Sequence, residues 1–126
     1  MKRFLLDTKA FLAVLDGQIG LSDAFKGVFE AKDAVFYVSS MSFFEIAVKK
    51  ALKKVRVPDN LADITKASGI QILPVLPEHA LRTGRLPFHH TDPYDRMLIA
   101  QAKTEGMTLV SHNPIFKKYH EDTVTA

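Results

Sequence analysis

Short apolar runs alternate along the chain with segments whose apolar residues recur every three or four positions. RFLL before Asp7, AVFYVS at 34–39, IQILPV at 70–75 and MTLVS at 107–111 read as buried strands. Between them, TKAFLAVLDG predicts a helix stopped by Gly17, and LSDAFKGVFEAK a helix capped by Ser22. SFFEIAVKKALKKV reads as a helix opened by Ser42, VPDNLADITKASG as one stopped by Gly69, and PEHALRTGRL as a short helix. HHTDPYDRMLIAQA opens a further helix, with Asp92 as N-cap and Pro93 at the first helical position; it runs to about Glu105 and stops at Gly106. A short helix from Pro114 follows the last apolar run. This rhythm of βα units predicts a three-layer α/β/α domain on a central parallel sheet. No repeat or long linker divides residues 1–126, so one domain is expected.

One position disturbs the pattern. Asp95 falls in register with Leu98, Ile99 and Ala102, on the stripe that faces a core. Asp7 and Glu45 occupy equivalent places, at the end of the first strand and in the helix after the second. In an open parallel sheet these strand-to-helix junctions gather at the carboxyl edge, where such folds put their sites. Each acid has an ordinary explanation: Asp7 caps a helix, Ser42 and Glu45 form a capping box, and Glu45 pairs with Lys49 four residues on. Capping leaves the register of Asp95 unexplained. Two charges about 5 Å apart repel by roughly 3 kcal/mol at an effective dielectric near 20, so converging carboxylates call for a cation. All-oxygen ligation points to Mg²⁺ or Mn²⁺.

Composition adds limits. The chain has no cysteine, which excludes disulfides, thiolate nucleophiles and cysteine-bound zinc, and suits a cytoplasmic protein. Seventeen Lys and Arg against fourteen Asp and Glu give +3, a balance compatible with a nucleic-acid partner. The opening MKRFLLD has no h-region and no apolar run is long enough for a bilayer, so neither export nor a membrane is expected. Lys49, Lys50, Lys53, Lys54 and Arg56 form a basic run after Glu45, and Lys49 and Arg96 stand close enough to the acids to touch a phosphate backbone.

The segments LLDT, SFFEIAVK, LPFHHTDPYDRMLIAQA and TLVSHNPIFKKY together resemble the PIN-domain ribonucleases of the VapC toxin type, in the family's order and over nearly the whole chain. The resemblance implies an α/β/α PIN-like fold and a metal-dependent endoribonuclease, with Asp7, Glu45 and Asp95 as the metal-binding acids. Asp92 matches a cap and outer-shell support. The family's fourth acid is replaced by Asn113, which implies a weaker second metal. RNA as substrate, a cognate antitoxin and a homodimer are the implied partners, with Phe43, Phe44, Leu86 and Phe88 as candidate contact surface or core. Three rival readings remain open: a PIN-like fold that binds without cutting, a metal-independent ribonuclease built on His89, His90 or His112, and an aspartyl phosphotransfer fold. The last lacks the second acid that its chemistry uses.

Overall fold

The computed structural model describes residues 2–17 and 20–126. Five strands, β1 (Lys2–Leu6), β2 (Ala34–Ser39), β3 (Gln71–Leu73), β4 (Thr108–Ser111) and β5 (Thr123–Thr125), form one sheet in the order β3-β2-β1-β4-β5. Every pairing is parallel. The helices are α1 (Thr8–Leu15), α2 (Asp23–Phe29), α3 (Ser40–Ala51), α4 (Leu61–Ala67), α5 (Pro77–Thr83) and α6 (Pro93–Glu105), and a 3₁₀ turn spans Pro114–Lys118. The expected α/β/α architecture on a parallel sheet is what the chain adopts.

The alternation of β1 divides the interior into two layers. Phe4 and Leu6 point into a cluster with Phe11, Phe25, Phe36 and Ile46, whereas Leu5 joins Leu98, Ile99, Leu109 and Phe116 on the opposite face. Burial on both faces explains why β1 and β4 read as continuous apolar runs. Among the described residues no helix is long and apolar enough to cross a membrane.

The helix boundaries follow local chemistry in most places. Ser22 accepts from the Phe25 N–H at 3.1 Å, and Asp92 accepts from the Tyr94 and Asp95 N–H groups at 2.8 and 3.3 Å. Gly106 ends α6 in the left-handed region, at φ +66°, which a residue with a Cβ adopts only at a cost. One boundary differs from expectation. The N-cap of α3 is Ser39, whose hydroxyl accepts from Met41 N–H at 3.0 Å; Ser42 is buried one turn inside the helix. Glu45 is therefore no capping-box partner but an interior helical residue. The helix also ends at Ala51, so Lys53, Lys54 and Arg56 lie in the turn beyond it. The strand β5 has no counterpart among the expected elements.

Candidate metal centre

Asp7 is placed by the sheet itself. Its N–H donates to the Val110 carbonyl at 2.9 Å, which extends the β1–β4 ladder by one residue and fixes the side chain at the carboxyl edge. Its Oδ1 then accepts from the Ala10 N–H at 2.8 Å and caps α1, while Ser111, at the end of the neighbouring strand, places its hydroxyl near the same carboxylate and favours its charged form. Glu45 reaches the same edge from α3. Thr8 Oγ1 stands 2.7 Å from its Oε1 and 2.9 Å from Ser42 Oγ, so the first residue of α1 orients the acid on α3. Lys49, one turn on, pairs with its Oε2 at 2.5 Å. Asp95 follows the Asp92 cap into the first turn of α6, and its Oδ2 lies 2.9 Å from His90 Nε2.

Asp7, Glu45 and Asp95 line one cavity, together with Thr8, Lys9, Lys49, Lys54, His112 and Asn113. Three acids separated by 38 and 50 positions in sequence thus converge, as the junction argument expects. Their oxygens are not all within 4.8 Å of one another; among the described residues the triads that meet that distance are His90, Asp92 and Asp95, and Glu78, His79 and Glu105. The second of these is structural. His79 Nδ1 accepts from the Leu76 N–H, so Nε2 carries the proton donated to Glu105 and has no lone pair for a metal.

Burial is the largest influence on two of the three acids. It raises the Asp7 carboxyl above its ordinary range, opposed by the Ser111 and Ala10 bonds and the charge of His112, and reinforced by Glu45. Burial likewise lifts Asp95 to about 6, opposed by the His90 bond and reinforced by the charges of Asp92 and Asp7. Carboxylates held short of water around one cavity, with amide and hydroxyl oxygens beside them and no sulfur, form a donor set that fits a hard divalent cation.

The shift on Asp95 has a measurable sign. A carboxyl whose folded pKa is near 6, against about 3.9 unfolded, contributes stability below pH 4 and loses it as pH rises through 6. In EDTA, Asp95→Asn is therefore expected to match the native chain near pH 4 and exceed it above pH 7 by up to about 2 kcal/mol, allowing for partial exposure. Thermal melts of both chains across that range check it.

The remaining expected residues fall as follows. Asp92 caps α6 and stays outside the cavity lining. Asn113 is in the lining, but its Oδ1 already accepts from the Ile115 N–H at 3.1 Å. Lys49 stands half-exposed at the cavity. Arg96 does not face it. Its guanidinium is buried and donates to the carbonyls of Thr83, Leu86, Pro87 and His90, so its charge is committed to the loop before α6 rather than to a ligand. Leu86 is core on the α6 side of the sheet, Phe43 is partly buried against the cluster on the opposite face, and Phe44 and Phe88 are exposed. Sequence reasoning passed over Thr8, Lys9 and Ser111. The first and last carry signals visible only in three dimensions, since each polar group sits beside an acid from a different segment.

The PIN domain family profile matches residues 4–122. No curated protein matches the sequence. Among solved structures, the fold superposes on the DNA-bound VapBC from Salmonella typhimurium with a TM-score of 0.70 at 18% identity, covering 100% of this chain and 98% of that one. It superposes on VapBC2 from Rickettsia felis bound to a promoter DNA fragment at 0.69 and 17%, covering 98% and 97%. A toxin-antitoxin complex from Klebsiella pneumoniae gives 0.66 and 19%, covering 96% and 95%. At these identities the likeness concerns the fold.

Proposed function

The chain belongs to the PIN-domain family, and we propose that it is a metal-dependent endoribonuclease, one PIN domain acting as the toxin of a toxin–antitoxin pair. The observation that carries this reading is the convergence of Asp7, Glu45 and Asp95 on one cavity, two of them buried enough to be raised above the usual carboxylate range. The toxin part draws support from the VapBC and toxin-antitoxin complexes that share the fold.

Asp7 and Asp95 would hold a Mg²⁺ or Mn²⁺ ion. Such an ion, when bound, polarises a phosphate oxygen and acidifies a water for in-line attack. Glu45, aligned by Thr8, would join the residues that hold the ion or serve as the base that takes up a proton during attack on the phosphorus. Lys49 and Lys54 at the cavity present positive charge to the scissile phosphate and its neighbour. Asn113 contributes no charge, so the acids on the Asp7 side dominate binding. Water as nucleophile leaves the substrate's 2′-hydroxyl without a chemical role, and RNA preference rests on shape and contacts. A cognate antitoxin and a second copy of the chain are the proposed protein partners, with Phe44, Leu52 and Leu81 as exposed apolar surface for them.

The direct test is cleavage of single-stranded RNA by the purified chain, freed of any bound partner, in Mn²⁺ and in EDTA. Cutting that needs the metal supports the reading. Cutting that persists in EDTA and disappears on replacing His89, His90 or His112 replaces it with histidine chemistry. RNA binding without cutting at high protein concentration replaces it with a binding function.

A further inference from the structure

A second cavity lies on the flank built by α5, α6 and the 3₁₀ turn, lined by Arg82, Arg85, Lys103, Lys118, Tyr119 and the Leu86–Pro87 loop. No acid lines it, and among the described residues none of the four cations makes an ion pair. Arg82 has only a long bond to Thr104 Oγ1 at 3.3 Å, and Arg85 and Lys118 are exposed. Four like charges around one concavity raise the positive potential there and draw anionic groups to it.

What lies between this cavity and the acids narrows the choice of anion. Tyr119, in the basic lining, meets the backbone N–H of His90 through its hydroxyl at 2.7 Å, and the His90 ring bonds Asp95 in the acid cavity. Phe88 stands on the connecting loop, next to Pro87, with 76% of its surface exposed. One face of its ring is held 4.3 Å from the buried Arg96 guanidinium, which itself ties down that loop through four carbonyls. The other face is an apolar platform open to solvent. A basic track beside an exposed aromatic ring is the combination that takes single-stranded nucleic acid, phosphates on the cations and a base on the ring. Lys103 lies eight residues along α6 from Asp95, about 12 Å, or roughly three stacked nucleotides.

We propose that this flank is an RNA exosite: Phe88 stacks one base, and Arg82, Arg85, Lys103 and Lys118 hold the phosphates of the strand leaving the acid cavity. The direction of the strand rests on the nuclease reading above. An acidic protein segment offers the charge but not the planar bases that Phe88 accepts.

The test is fluorescence anisotropy in EDTA with a fluorescein-labelled uridine dodecanucleotide, using the native chain, R85E/K118E, F88A and the charge-matched control K32E/K66E, each first shown by melting to be folded. R85E/K118E is expected to weaken binding about tenfold or more and to flatten the dependence on salt by roughly 0.7 logarithmic units for each lost contact. F88A is expected to weaken it about fivefold or more with the salt dependence unchanged. The control is expected to follow the native chain. Equal losses in all three variants overturn the exosite, as does an F88A chain that binds like the native one. Stronger cavity-dependent binding of polyglutamate than of the oligonucleotide overturns it in favour of an acidic protein. The two readings fail separately: a chain that cuts RNA in Mn²⁺ yet binds the oligonucleotide independently of Arg85, Lys118 and Phe88 loses the exosite alone. A chain that cuts nothing but binds through them loses the nuclease alone.

Discussion

Asp7→Asn is expected to lower Mn²⁺-dependent RNA cleavage by about a thousandfold or more while leaving the protein at least as stable as before. The two halves of that expectation come from one side chain, whose oxygens serve a cap and whose charge is buried. One oxygen accepts from the Ala10 N–H and caps α1, and Asn caps as well as Asp does. The charge is the part that burial opposes: desolvation raises the Asp7 carboxyl above its ordinary range, so a neutral isostere relieves a strain in the metal-free fold. Cleavage assays measure the first half. Thermal melts measure the second, and they also report on the ion, since Mn²⁺ is expected to raise the native melting temperature and leave that of the variant unmoved. Asp7→Ala separates cap from charge, because it loses both and is expected to cost about 1 kcal/mol of stability. An Asp7→Asn chain that cuts at the native rate removes Asp7 from the chemistry and with it the reading of the cavity.

The convergence of the acids was legible because strand-to-helix junctions in a parallel sheet share an edge, and the chain announces its junctions with caps: Asp7, Ser22, Asp92, Gly106. Where the signals repeat, local reading loses its footing. Ser39, Ser40 and Ser42 are all plausible caps, and what selects Ser39 is the ladder with β3, which pairs Ser39 with Leu73 and lets the helix begin immediately after. That shift of three residues changes Glu45 from a capping group into a side chain free to face the cavity. The register of Asp95 with Leu98, Ile99 and Ala102 turns out to discriminate less than it promised, because α6 is buried around its whole circumference from Arg96 to Ala102. Asp95 is distinguished instead by the cavity it lines. β5 escaped because three residues carry too little pattern, and the strand exists through its pairing with β4.

Arg96→Ala is expected to destabilise the fold by about 3–5 kcal/mol, near the upper end for a single substitution, and to lower the melting temperature by roughly 10 °C or more. The sequence pointed the other way, since a cation next to Asp95 stands close enough to the acids to touch a phosphate backbone. What decides its fate is the loop between α5 and α6. Residues 84–92 have no strand to pair with, and the carbonyls of Thr83, Leu86, Pro87 and His90 turn toward the interior, where each needs a donor. The planar guanidinium answers four of them at once, at 2.6 to 3.1 Å, which no other side chain can do. Truncation leaves the Leu86 and Pro87 oxygens without a donor, reduces those of Thr83 and His90 to one longer bond each, from the Leu86 N–H at 3.4 Å and the Tyr119 hydroxyl at 3.2 Å, and removes the group beneath Phe88. The loss spreads along one line of contacts, because the same loop carries His90 to Asp95 and Phe88 to solvent. Arg96→Lys keeps the charge but offers one donor head in place of the fork, so it is expected to recover less than half of the stability. Urea melts of the three chains separate the alternatives: if Arg96→Ala melts like the native chain and only loses RNA affinity, the guanidinium belongs to the nucleic acid and not to the loop.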